Sequence, residues 1–245
     1  MTTNVYDIAA GLLTSDSRWS FEEAGWLVYV DDTGYDKLAF DSQLGFLFAG
    51  DLGAIDEWKQ WVAGGRIVGA PLNNIDLMSV IVVDMADGSV PFISDYMLKS
   101  GNTQVEAWYG GTGGPYAKDC WQVNKCAKTA VVTAKNSDQF SGGAVMHIER
   151  ITLDTNINNS MSASNVNTQC QERGIMINTK SSQGPVLVKD AANDPTNVVA
   201  QEIAKKVLSG AARLGAPFPG MRQPWTQEKK AELAEALERY APKKA

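Results

Sequence analysis

The residues at the head of the chain, Met1-Thr2-Thr3, could do chemistry with little help from elsewhere in the sequence. With Met1 removed, Thr2 carries a secondary hydroxyl and a free α-amine on one residue. A free α-amine has a pKa of roughly 7.7–8.0, so an appreciable fraction is neutral near physiological pH and can accept the hydroxyl proton. A threonine with its own amine as base is one recognised way to activate a weak alcohol nucleophile. Metal chemistry has no comparable foothold. His147 is the only histidine, and Cys120, Cys126 and Cys170 lack both the spacing of a zinc knuckle and the even count of a disulfide framework. The expectation is a site without metal or cofactor.

Composition narrows the partners. A chain of 245 residues that is 44% hydrophobic can bury a sizeable core and suits one large domain, or one domain with an extension. The net charge of −6, with no long basic run before the last few residues, argues against nucleic acid as the main ligand. No basic n-region precedes an apolar run, and no stretch approaches the ~20 apolar residues that span a bilayer. The reading is a soluble, cytoplasmic protein with no membrane partner.

The elements that must position Thr2 follow from pattern. Thr2 to Tyr6 and Leu12 to Ser15 read as short strands joined at Ala10-Gly11. Trp26 to Val30 is a third strand, closed by the Asp31-Asp32-Thr33-Gly34 turn. Lys37 to Phe40 and Gly45 to Ala49 form a hairpin, and a helix from about Leu52 buries Ile55, Trp58 and Val62 and ends at Gly64-Gly65. A second hairpin turns at Asp87-Gly88. Val105 to Tyr109 runs into Gly110-Gly111-Thr112-Gly113-Gly114, ahead of one long helix from Tyr116 to Lys135 with Cys120, Val123, Ala127, Val131 and Ala134 inward. A strand then runs from Ala144 to about Leu153. This order predicts an α+β four-layer αββα sandwich. Residues 1–155 form its core, 156–193 a polar linker and small hairpin, and 194–245 a helical C-terminal extension. Asp194-Pro195 starts one helix, with Val199, Ile203, Val207 and Leu208 on one face, and Thr226 caps another.

Six features in order resemble the proteasome-like branch of the N-terminal nucleophile hydrolases, including the bacterial ring peptidase that works with an ATP-driven unfoldase. They are Thr2-Thr3, Asp16-Ser17-Arg18 after the first hairpin, Lys37 opening a strand, Ala49-Gly50 before a helix, Gly111-Thr112-Gly113, and Asp138-Gln139-Phe140-Ser141-Gly142-Gly143. The resemblance spans residues 2 to 150; residues 151–245 have no counterpart in the minimal ring peptidase.

The resemblance implies that Thr2 attacks the scissile carbonyl above an Asp16–Lys37 ion pair. A buried ammonium favours alkoxide character, and the carboxylate offsets its desolvation. It further implies that Asp138 and Ser141 orient the Thr2 amine, with Thr112 standing where the family usually has serine. The Gly50 N–H would help form the oxyanion hole. Ser20 and the Phe48-Ala49-Gly50 edge would line a cleft that takes a peptide as an added strand, with Phe48 in the pocket for the residue before the cut. Peptides or unfolded proteins would be the substrates, a homo-oligomeric ring the assembly, and an ATP-driven unfoldase a partner. Two other readings stay open: a non-catalytic scaffold of phage or mobile-element origin, and a small-molecule amidase with a closed pocket.

Overall fold

The computed structural model of the chain describes residues 2–67, 69–101, 103–158, 161–182, 184–221 and 223–241. Alternating apolar strands build two sheets, antiparallel throughout the described pairings. The smaller runs in the order Val145–Glu149, Leu12–Asp16, Asn4–Asp7, Ala107–Gly110, Leu98–Ser100. The larger runs from Val186–Leu187 through Ile175–Asn178, Trp26–Val30, Trp19–Glu23, Gly215–Ala216, Leu44–Asp51 and Met78–Asp84 to Phe92–Ile93.

Strand alternation sends neighbouring residues to opposite faces, so single strands serve two apolar seams. Val5 packs with Tyr109, Ala117, Trp121 and Val131 under the helices Gly114–Asn124 and Ala127–Ser137. Its neighbour Tyr6 joins Leu13, Leu38, Leu47 and Ile81, a seam drawn from both sheets. Leu47 shares that seam, whereas Phe46 and Phe48 turn the other way. They stack on each other and meet the edge of Trp58 on the helix Leu52–Ala63. The helices Ala163–Arg173, Val198–Leu208 and Gln227–Glu238 add Val166, Ile203 and Leu233 to this third seam.

The strand Leu44–Asp51 organises the approach to Thr2. One edge pairs continuously with Met78–Asp84. The other is shared. Leu38–Phe40 lies opposite Gly45 to Leu47, the Lys37 carbonyl accepts the Phe48 N–H at 2.8 Å, and Gly215–Ala216 lies opposite Asp51 and Gly50.

Several elements differ from expectation, each for a local reason. The single long helix is two, broken where Lys125 adopts a left-handed φ of 53° and the Asn124 side chain caps the Cys126 N–H. Val123 is therefore exposed rather than inward. The strand Trp19–Glu23, unforeseen, pairs with Trp26–Val30 through a turn at Ala24-Gly25, both with positive φ. The Asn- and Ser-rich stretch contains a helix, Ala163–Arg173, because Val166 and Cys170 four residues apart suffice to bury one face. Asp194 is spent on a turn to Thr196, so Asn197 caps Val198–Leu208 instead. Of the expected stripe there, Ile203 and Val207 are buried and Val199 and Leu208 are exposed.

Trp58 sits with no solvent exposure among Phe46, Phe48 and Trp61, its indole N–H donating to the Pro71 carbonyl at 3.1 Å. Trp58→Ala is expected to cost about 3–5 kcal/mol in urea unfolding, because the cavity cannot collapse between sheet and helix.

Candidate active site

Three pieces of backbone converge on the chain start. Asn4 lies in register with Ser15 on one side and Gly110 on the other. Thr2 and Thr3 therefore prolong the middle strand of the small sheet, between Asp16 and the Gly111-Thr112-Gly113 turn. The Asp16 N–H donates to the Thr3 carbonyl at 3.2 Å, and the Gly113 N–H to the Thr2 carbonyl at 3.2 Å. A Cβ on Gly111 would overlap the Thr2 carbonyl, and one on Gly113 the Thr3 hydroxyl, so the close approach excludes side chains there.

Lys37 reaches this point from the start of a hairpin in the other sheet. Its Nζ donates to Thr2 Oγ1 at 2.9 Å and to Asp16 Oδ1 at 2.9 Å. Thr2 Oγ1 itself donates to Asp16 Oδ1 at 2.5 Å, closing a triangle. All three residues are fully buried. Asp16 also accepts the Thr3 N–H at 2.8 Å on the same oxygen, and the Gly142 and Arg18 N–H groups at 2.9 and 3.2 Å on the other.

This geometry sets the charges. Burial pushes the Asp16 carboxyl upward, but Lys37, the Thr2 hydroxyl and the backbone donors outweigh it and hold it below the usual carboxylate range. Burial pushes the Lys37 ammonium down, and Asp16 offsets this only in part. A lysine so placed favours proton departure from any group it faces. Arg18 braces the corner from outside: its guanidinium takes both oxygens of Asp31 at 2.8 and 2.7 Å and donates to the Gln139 carbonyl at 2.7 Å.

A second carboxylate works beside the first. Asp138 Oδ2 accepts from Thr112 Oγ1 at 2.9 Å and Ser141 Oγ at 2.8 Å, and the Ser141 and Thr3 hydroxyls meet at 2.8 Å. Thr112, Asp138 and Ser141 are thus brought together next to Thr2. The contact they make is with Thr3, a residue the sequence reading gave no role of its own. Its only signal was the Thr2-Thr3 doublet. Met1, whose removal that reading requires, lies outside the described residues.

The expected cleft residues fare differently. Phe48 is buried in the core, stacked on Phe46 and edge-on to Trp58, in place of lining a substrate pocket. Ala49 is buried in the same strand, opposite Ser79. Ser20 and Gly50 do flank one strand position, yet it is not open: Gly215 stands opposite Ser20 and Ala216 opposite Gly50. Among the described residues, no group of three or more His, Cys, Asp or Glu is placed to hold a metal ion. No helix among them is long and apolar enough to cross a membrane.

No protein-family profile and no curated protein matches the chain. Two solved structures with related backbones are BPH of Thiobacillus denitrificans in complex with epoxomicin and eukaryotic HslV of Trypanosoma brucei. The first is 13% identical with a TM-score of 0.37, covering 60% of this chain and 97% of that one. The second is 16% identical with a TM-score of 0.28, covering 56% and 99%. At these scores neither likeness carries a functional argument, which rests on the site itself.

Breaking a buried ion pair from one side strands a charge, whereas removing both sides does not. Asp16→Asn and Lys37→Met are each expected to cost about 3–5 kcal/mol. The double variant should cost clearly less than their sum in a double-mutant cycle by urea unfolding. Because the folded Asp16 pKa lies below its unfolded value, its contribution is present above the ordinary carboxylate pKa and lost as pH falls through the lowered one. The acid limb of the stability curve should therefore be shallower in the double variant.

Proposed function

We propose that the chain is a proteasome-like threonine hydrolase that cleaves peptide amide bonds through an acyl-enzyme on Thr2, once removal of Met1 frees the Thr2 amine. The observation that carries this reading is the buried triangle in which Thr2 Oγ1 touches both Lys37 Nζ and Asp16 Oδ1. A hydroxyl held between an ammonium and a carboxylate, away from water, is placed for proton loss and nucleophilic attack.

In the first step the free amine takes the Oγ1 proton and Oγ1 bonds to the scissile carbonyl carbon, whose π electrons move to its oxygen. Lys37 stabilises the negative charge at Oγ1 as it develops, and the Gly50 N–H, by the family resemblance, stabilises it on the carbonyl oxygen. The C–N bond then breaks, and the leaving nitrogen takes the proton held by the ammonium. Water then bonds to the ester carbonyl carbon as the amine takes its proton, the acyl C–Oγ1 bond breaks, and Oγ1 recovers the proton as the acid product leaves. Asp138, Ser141 and Thr112 position the Thr2-Thr3 backbone through the Thr3 hydroxyl.

The three apolar seams support a four-layer αββα sandwich as the frame for this site. The resemblance adds a homo-oligomeric ring enclosing the sites, unfolded protein as substrate, an ATP-driven unfoldase as partner, and a cytoplasmic location. A non-catalytic scaffold is the second reading, favoured by the complete burial of Thr2 and the filled strand position between Ser20 and Gly50.

Thr2→Ala should lower kcat/KM on small peptide amides by at least about a thousandfold, with Thr2→Ser retaining turnover. Equal turnover by wild type and Thr2→Ala would remove Thr2 from the mechanism. The rate should rise with pH through roughly 7.7–8.0 as the amine loses its proton. Intact mass should lack one methionine; full retention of Met1 in native material favours the scaffold. Light scattering should show an oligomer, and a lone 26.5 kDa species would contradict the ring.

A further inference from the structure

The larger sheet carries a slot one strand wide. Trp19–Glu23 and Leu44–Asp51 each pair with Gly215–Ala216, which lies between them. Neighbouring strands sit about 4.8 Å apart, so the slot walls are roughly 10 Å apart and fit one extended chain. The residues that fill it come from the irregular stretch between the helices Val198–Leu208 and Gln227–Glu238, far from either wall in sequence.

The occupant fits this position closely. The Leu214 carbonyl accepts the Leu52 N–H at 3.1 Å, and the Leu214 side chain is buried. A Cβ on Gly215 would stand 2.6 Å from the Gly50 carbonyl oxygen, so only glycine fits at that position without a shift. Ala216 is fully buried. Pro217 has no N–H with which to continue the ladder, and the strand ends before it.

Direction matters as much as fit. The segment is antiparallel to Leu44–Asp51, so it runs from Leu52 toward Gly50 and onward in the direction of Phe48. On that same edge the Phe48 N–H donates to the carbonyl of Lys37, the residue whose ammonium holds Thr2 Oγ1. Gly50 and Phe48 are two residues apart, about 7 Å along the strand. The occupant therefore runs along this edge toward the point where the Lys37 backbone pairs. A cavity of about 860 Å³ lies alongside, lined by Ser20, Phe21 and Phe140 and by Arg213, Gly215 and Pro217 of the occupying stretch. The segment thus borders this cavity while Leu214 and Ala216 pack into the core.

We propose that Leu214–Ala216 is an autoinhibitory occupant of the strand position that the proposed hydrolase would give its peptide, a segment of the class apolar–glycine–small that an extended peptide of the same class can displace. The occupant competes with incoming peptide, so the site is latent until the segment leaves. As a substrate site the inference rests on the proposed Thr2 hydrolase; as a peptide-binding slot it does not.

The test uses the full chain carrying Thr2→Ala, which separates binding from turnover. A labelled peptide, Arg-Leu-Gly-Ala-Pro-Phe, is titrated by fluorescence anisotropy against this chain with and without Gly215→Val, which unseats the resident segment. At least tenfold tighter binding to the Gly215→Val chain is expected, with at least tenfold weaker binding of the peptide that has valine in place of glycine. Equal binding to both chains by a folded variant, or indifference to the glycine, overturns the proposal. Should Gly215→Val fail to fold, hydrogen exchange on the chain with Gly215 intact decides. Millimolar peptide should speed exchange at 214–221 while Gly50–Leu52 stays protected, and no change overturns the proposal. Peptide binding without turnover by any chain that retains Thr2 supports the slot and removes the hydrolase reading.

Discussion

A lysine and an aspartate with no access to water must hold each other, and much of this fold is arranged so that Lys37 and Asp16 can. Their attraction alone does not cover the cost of taking both charges out of solvent. The remainder comes from further donors on the carboxylate: Thr3, Arg18 and Gly142 backbone N–H groups and the Thr2 hydroxyl. Lys37 belongs to a hairpin of the larger sheet and Asp16 to a strand of the smaller, so the pair also fixes how the two sheets meet. The Thr2 hydroxyl is the one member of the triangle that carries no formal charge. It experiences a field that two sheets cooperate to produce.

A second carboxylate gives the chain start its direction. Asp16 and Asp138 stand on either side of the Thr2-Thr3 pair, the first reaching the Thr2 hydroxyl and the second reaching the Thr3 hydroxyl through Ser141. Two adjacent side chains are thus held by different partners, which leaves the backbone between them little rotational freedom. The glycines of the Gly111-Thr112-Gly113 turn let that loop press against the same backbone. Such over-determination is what a nucleophile needs if its geometry is to be preorganised before substrate arrives.

Much of this was legible in the sequence, because local rules governed it. Hairpins at Ala10-Gly11 and Asp87-Gly88, the helix after Asp51 and the Thr226 cap all follow from residues within a few positions of one another. The convergence of Thr2, Asp16 and Lys37 was legible only through resemblance, since nothing local brings residues 2 and 37 together. Other features depended on distant packing. Val166 and Cys170 form too sparse a pattern to announce a helix, and Val123 looked inward because the Lys125 break has no strong signal. Least legible of all was Gly215–Ala216, two small residues in a proline-rich stretch that finish a sheet begun some two hundred residues earlier.

That last element bears on both readings, since a proposed nucleophile and a filled strand position together fit a latent enzyme as readily as an inert scaffold. The most direct discriminating measurement is chemical trapping. Chain with Met1 removed and the slot vacated is incubated with an activated peptide ester, digested, and examined by mass spectrometry for the acyl group. The acyl mass is expected on the peptide that begins with Thr2, and is expected to be absent when Lys37 is replaced by methionine in a chain that remains folded. Acylation elsewhere, or none at Thr2 while the slot still binds peptide, would contradict that expectation.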